Sequence, residues 1–506
     1  PKSRRTDKHV LWQIDFAEIF SGENPGFDIS IANPPYLRHE LIDRAKKTLL
    51  RSTYNALHPD LAVSERCDLY IYFFFRGADL LKKAGVLCYI CATSWMDVVF
   101  GACLQKFVLQ ECEIKAIVDN CVKRSFASAD VNTTINVFRK ATRESAMQST
   151  AKFVSFSRPY ESLSMREIET ALHCPDGSCG SQSWRRKVIS QSYLYECSYM
   201  RKKDGGASKF ENGNWAGLYL RAPTIFQDIV GNRVRMLCQL SELATVRFGL
   251  KSGANEFFYL TDELIESWAI EPKYIKPIIF SFREVKRVEG SLQVLKYHRL
   301  ACHESKKDLA GTECLKYIVF GESQGFHNRP TCSSRRLWYS IGEGWQPAHF
   351  VFTAKVGERF LVYRNTEKII EDKKLYGINL HKPIDQLLIA GLLNSTITRL
   401  IMEVTCRQLT GAQAIADVDV SVVENIWIPK PAALTSVDIS KIKEAYQALV
   451  NRDICTHLID EFKQEDRIAL DTAIVKALGL SVDNVQRIYD AVWDIVGHRL
   501  EKADSV

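Results

Sequence analysis

Between residues 10 and 140, short uninterrupted apolar runs alternate with stretches whose apolar residues return every three or four positions. Val10–Ile14 and Phe27–Ala32 read as strands, the first ending at Asp15 and the second at Asn33. Asp68–Lys83 reads as a helix, with Gly85 as its left-handed terminator. Val86–Ala92 is a continuous apolar run, the pattern of a strand covered on both faces, and Ile114–Val118 and Thr133–Phe138 read as two more strands. This rhythm predicts an α/β fold built on a doubly wound sheet.

Further along the pattern changes twice. Residues 146–240 gather Ser, Arg and Gly between 174 and 214, which predicts a linker or insertion of long loops. Residues 241–431 break into short strand-like pieces separated by turn residues, and residues 432–506 return to helical spacing, with Gly479 closing one helix. Four segments follow: 1–145, 146–240, 241–431 and 432–506.

Composition narrows the class only slightly. The 506 residues are 46% hydrophobic and 25% charged, with a formal net charge of +7 that permits a polyanionic partner without requiring one. No apolar run approaches the ~18–20 residues of a membrane span. The fifteen cysteines form no disulfide frame; several, such as Cys88, Cys91 and Cys112, fall in apolar stretches and read as reduced core thiols of a cytoplasmic protein. The Cys88/Cys91 pair lies on a buried strand and reads as core. His173, Cys174 and Cys179 lack a second paired motif, so no metal site is expected. The chain opens without Met, which reads as a fragment or one half of a split protein.

The residues that carry chemistry are Asn33-Pro34-Pro35-Tyr36, directly after the Phe27–Ala32 strand. Two prolines fix the backbone at a strand's carboxyl end, where ligands bind in open α/β sheets. They hold an amide and an aromatic ring in one relation. That suits methyl transfer to an exocyclic amine, whose lone pair is delocalised into its ring. The Asn33 side-chain oxygen and the Pro34 carbonyl would accept its two N–H groups and aim the lone pair, while Tyr36 stacks on the extruded base. The bland alternative is a proline turn with a solvent-facing Asn and Tyr.

The segment LWQIDFAEIF…FDISIANPPYLRHE resembles the amino-methyltransferases, most closely the adenine-specific, Eco57I-like DNA methylases of type II restriction–modification systems, which fuse methylase and specificity regions. Residues 68–96 and 126–140 are similar to the family's helix-and-strand stretch and to its late base-contacting loop and last strand. The resemblance implies an incomplete Rossmann-like methyltransferase sheet, then an α+β target-recognition domain and a C-terminal helical segment. It implies S-adenosyl-L-methionine as methyl donor, held by Asp15, Phe16 and Asn33, and double-stranded DNA as partner, with Phe126 opposite Tyr36 across the flipped base. Asp15 as a plain helix cap and Phe126 as ordinary core stay open beside these roles.

VRFGLKSGANEFFYL (246–260) resembles the opening of the family's target-recognition domain, with a tight loop between strands, and residues 391–431 resemble its close. Between them Arg283, Lys286, Arg287, Arg335, Arg336, Arg359 and Arg364 stand among aromatics; Lys251, Arg283, Arg335 and Arg336 are the candidate DNA contacts. The family's glycine-rich cofactor loop lies ahead of the position matched by Asp15, and Gly22 and Gly26 do not replace it. The expectation is weak cofactor binding by the chain alone and activity restored by a separate or uncut N-terminal methylase or nuclease segment. The Val10–Ile14 strand then belongs at the sheet's far edge, and the strand before Asn33 is left with one side bare. Three other functions compete: protein glutamine methylation, disfavoured by over 350 residues after Lys140; RNA adenine methylation; and a non-catalytic specificity component with a decayed methylase half.

Overall fold

The computed structural model describes residues 10–126, 131–175, 178–200, 209–290, 292, 295–409 and 414–505. The chain divides into two compact units: Pro1–Ala222 with Leu409–Ala414 and Gly497–Val506, and Pro223–Gln408 with Ile415–Val496.

In the first unit seven strands form one sheet: β1 (Phe27–Ala32), β2 (Leu81–Ala92), β3 (Cys112–Asn120), β4 (Thr133–Lys140), β5 (Thr150–Phe156), β6 (Cys179–Gly180) and β7 (Trp184–Ser190), in the order β1-β2-β4-β3-β5-β7-β6. β1 runs parallel to β2, β4 lies antiparallel between β2 and β3, and β3 runs parallel to β5, so the sheet is mixed. Among its helices are α1 (Arg44–Leu57), α2 (Leu69–Asp79) and α3 (Ala102–Glu111). α2 is buried on nearly all sides because its sequence, LYIYFFFRGAD, is apolar all round. Its Phe74 meets Tyr89 of β2 at 5.1 Å and Phe138 of β4 at 5.8 Å, and Phe75 meets Phe107 of α3 at 4.9 Å. A Cβ at Gly77 would sit 2.1 Å from the Tyr89 hydroxyl, so only glycine lets α2 lie this close to β2. That hydroxyl hydrogen-bonds Ser30 on β1 at 2.9 Å and ties the site-bearing strand to the core.

Three expectations need correction. Val10–Ile14 is not a strand: Trp12–Asp15 and Ala17–Phe20 are helical turns. Trp12, Phe16 and Phe20 recur every four residues and all pack on Phe27, a helical spacing that a five-residue apolar run conceals. The helix before β2 ends at Asp79 rather than Lys83, and the left-handed residue is Ala84 (φ 61°), inside β2 beside Gly85. Residues 146–240 are not a linker. They supply β5, β6 and β7, because β5 (TAKFVSF) is buried almost throughout and pairs with β3 along Ile117–Asn120. Residues 176–177 and 201–208 of the expected loops lie outside the described residues. At the end of this segment the Lys187 ammonium donates to the carbonyls of Leu218 (3.0 Å) and Ala222 (2.7 Å); burial, with Arg185 beside it, lowers this amine to about 7.

The second unit holds two four-stranded sheets. In one, Ala244–Phe248 pairs antiparallel with Leu375–Leu380, followed by Phe350–Thr353 and Tyr363–Arg364. The other joins Tyr259–Leu260, His298–Leu300, Ile275–Ile279 and Ile370–Glu371. The strands flanking 249–258 thus belong to different sheets, with the helical turn Asn255–Phe258 between them. Helices Ser436–Val450 and Glu465–Ala477 follow as expected, with Gly479 at φ 69°. Among the described residues no single helix is long and apolar enough to cross a membrane; the bent pair Gln386–Leu393 and Thr396–Thr405 passes by length and composition, but its residues are almost all buried within this unit.

Candidate methyl-transfer site

The site stands where β1 ends. Register Ile31↔Cys88 and Ala32↔Tyr89 carries β1 to its tip beside β2, and Asn33-Pro34-Pro35-Tyr36 follows at once. Pro34 is buried, Asn33 and Pro35 are exposed and Tyr36 is half-buried. The Tyr36 hydroxyl donates to Asn33 Oδ1 at 2.7 Å, which fixes the amide with its oxygen toward the ring. A carbonyl oxygen has two lone pairs, so the second is left for an incoming N–H. Burial, with Cys91 close by, pushes the Tyr36 phenol up to about 12, and it stays a donor across the physiological range.

Phe126, on the loop between β3 and β4, faces Tyr36 with ring centroids 6.0 Å apart and planes at 51°. The two aromatics that the resemblance pairs, ninety positions apart, do meet. A stacked base between them needs about 7 Å, twice a carbon–carbon contact, and parallel planes, so the rings must part by roughly 1 Å and level. Residues 127–130 of this loop lie outside the described residues. The loop's base has a brace that sequence patterning did not reveal. Lys502, near the end of the C-terminal helix Asn484–Asp504, reaches Asp119 Oδ1 at 3.1 Å and the Asn120 carbonyl, and Arg124 N–H donates to Ser505 Oγ at 3.2 Å.

The expected cofactor pair fits less well. Asp15 closes the Trp12–Asp15 turn, where its carboxylate accepts the Leu11 N–H at 2.8 Å. Phe16 stacks on Trp12 at 5.6 Å and 21° and lies edge-on to Phe27. Phe16 is thus engaged with Trp12 and Phe27, while the exposed Asp15 carboxylate, with one of its several lone pairs used, keeps acceptor capacity for an amine.

Residues 2–126 match the family described as Eco57I restriction-modification methylase, and residues 224–462 match the C-terminal domain of type II methyltransferase M.Eco57I, together more than two thirds of the chain. The chain belongs to the Eco57I-like family of type II restriction–modification methylases. It is similar to the type II methyltransferase M.BstVI of Geobacillus stearothermophilus (32% identical over 110 residues, 22% of this chain and 18% of the relative). M.BanIII of Aneurinibacillus aneurinilyticus is 21% identical over 343 residues, 64% of this chain and 54% of the relative. The solved structure of the Type IIL restriction-modification enzyme MmeI in complex with DNA shares the fold, with TM-score 0.53 and 13% identity over 93% of this chain and 57% of that one. The matched part of this chain thus spans little more than half of these two longer relatives, and less of the first.

In the second unit the four candidate cations part ways. Lys251, Arg283 and Arg336 are exposed. Arg335 is turned inward. It donates to the carbonyls of Lys251 (2.8 Å), Ser252 (2.6 Å) and Trp338 (3.3 Å) and lies over Phe258, and burial lowers its pKa. It therefore holds the Lys251 loop against the Arg336 segment. Arg359 and Arg364 are likewise engaged, with the Phe282 carbonyl and Glu289, and Arg287 pairs with Asp453.

Proposed function

We propose that this methylase transfers a methyl group to the N6 amine of adenine in double-stranded DNA, with S-adenosyl-L-methionine as donor. The observation that carries the reading is the joint arrangement of Asn33, its oxygen fixed by the Tyr36 hydroxyl, and the Tyr36–Phe126 ring pair at the tip of β1. When bound, the donor supplies an electrophilic methyl. The chain's own residues do the rest. Asn33 Oδ1 and the Pro34 carbonyl accept the two amine hydrogens, drawing the nitrogen toward tetrahedral geometry, and Tyr36 and Phe126 hold the base flat and exclude water. Such a ring pair suits a planar purine and has no use with the flexible side-chain amide of a protein, which disfavours glutamine methylation.

Phe16, packed on Trp12 and Phe27, favours a second element of the reading: the donor binds firmly only when further strands lie along the open side of β1. Isothermal titration of the chain with S-adenosyl-L-methionine is expected to show weak binding, and micromolar affinity would contradict this part. Tritiated methyl incorporation into matched duplex DNA and RNA, with further strands supplied along that side of β1, tests the main reading. Counts in DNA adenine are expected; counts confined to RNA, or to cytosine, would overturn it.

A further inference from the structure

Directly after the site the chain carries a run of positive charge that the fold itself does not balance. From Arg38 to Arg51 the basic residues outnumber the acids, which are Glu40 and Asp43 alone. Both acids are engaged: Glu40 lies 3.2 Å from His39 Nδ1, and Asp43 caps α1 by accepting the Lys46 backbone N–H at 3.1 Å. Arg51 pairs with Glu65. Among the described residues, Arg38, Arg44, Lys46 and Lys47 have no ion-pair partner, and the first three are exposed.

Their placement works against helix stability. Arg44, Lys46 and Lys47 fill the first turn of α1, where the helix dipole disfavours cations. Arg44 and Lys47 are spaced i,i+3 and Lys47 and Arg51 i,i+4, like-charge neighbours that destabilise rather than support. A merely solvated face would interleave acids at these spacings.

The run is also held in a fixed place beside the site. Leu69 N–H bonds the Leu37 carbonyl at 3.0 Å, and His39 N–H bonds Asp68 Oδ1 at 2.9 Å, which pins the chain leaving Tyr36 to the start of α2. Tyr54, the buried residue of α1, packs on Tyr72 and Phe75 of α2 at 5.8 and 5.1 Å. Arg44 follows Tyr36 by eight positions, so the two lie within ~28 Å even if the chain were fully extended. That is less than one turn of duplex, about 34 Å.

We propose that Arg38, Arg44, Lys46 and Lys47 grip the phosphodiester backbone of duplex DNA next to the base extruded at Asn33. The proposal rests on reading Asn33–Tyr36 as a DNA methylation site. Phosphate oxygens supply the missing counter-charge, the contacts are indifferent to sequence, and they set where along the strand the target base falls over the tip of β1.

Fluorescence anisotropy of a labelled duplex with the full chain, titrated across 50–200 mM salt, tests it. For an Arg44→Gln/Lys46→Gln/Lys47→Gln variant, the log–log salt slope is expected to flatten by roughly 2 to 3 and affinity to fall on the order of 10- to 100-fold, for duplexes of any sequence. Its melting temperature is expected to be unchanged or slightly higher, since the dipole conflict is relieved. Lys46→Arg/Lys47→Arg is expected to keep the wild-type slope, and so is Asn33→Ala. A triple variant that binds as the wild type does, or that melts well below it, overturns the proposal while leaving the methylation reading intact. A wild-type chain with no salt-dependent duplex binding removes the DNA reading and this proposal together.

Discussion

At the tip of β1, an amide faces solvent with one lone pair unused, whereas in the second unit Arg335, lying over Phe258, has its guanidinium turned inward onto three carbonyls. Both places looked chemically equipped in sequence. The difference is hydrogen-bonding capacity: Asn33 keeps some for a ligand, while Arg335 has given its own to the protein. Arginine among aromatics is as much a way of fastening loops together as a way of reading DNA, and only exposure separates the two uses.

The largest expected effect is at the open end. Asn33→Ala removes an acceptor aimed at the amine, and methyl incorporation is expected to fall by about 10²–10³-fold or more, with duplex affinity within about twofold. Equal loss of affinity would mean that Asn33 binds DNA rather than positioning the amine. Phe126→Ala removes one stacking partner, an effect of roughly 1–3 kcal/mol read as a raised KM for DNA, and Phe126→Trp is expected to restore it. At the closed end, Arg335→Ala leaves the carbonyls of Lys251 and Ser252 without their donor. Urea denaturation should show a loss of about 2 kcal/mol, against less than about 0.5 kcal/mol for exposed Arg336→Ala. Equal, small losses would mean that Arg335 is free after all.

The smallest effect concerns pH. Lys187, another inward-turned cation, has its pKa lowered to about 7 by burial and by Arg185. Between that value and the ordinary lysine value of ~10.4 the unfolded chain binds a proton that the folded chain does not, so stability rises with pH over this window and is lost as pH falls toward 7. Lys187→Met should flatten that slope in denaturation series at pH 7, 8.5 and 10; an unchanged slope would assign it to other groups.

Much of this was legible in advance, for local reasons. Phe27–Ala32 is a strand to the residue, and Gly479 ends its helix, because both signals are short-range. The pairing of Phe126 with Tyr36 came from the family resemblance, since nothing within either segment points to the other. What stayed hidden was non-local or ambiguous in period. Val10–Ile14 is too short to separate a strand from the helical turns that Trp12, Phe16 and Phe20 define. β5 and β7 were masked by the loops around them. The Lys502–Asp119 brace joins residues 383 positions apart, beyond any pattern along the chain. The inward turn of Arg335 depends on carbonyls brought near by tertiary folding.

The flank of β1 is greasy as well as unsatisfied: Ile29 and Ile31 are 60% and 76% exposed beside a backbone that, among the described residues, has no neighbouring strand on that side. Such a ribbon is a template for its own kind. Concentrated alone, the protein should cloud and scatter light steeply, and do so faster in sulfate; a lysine in place of Ile31 should keep the solution clear.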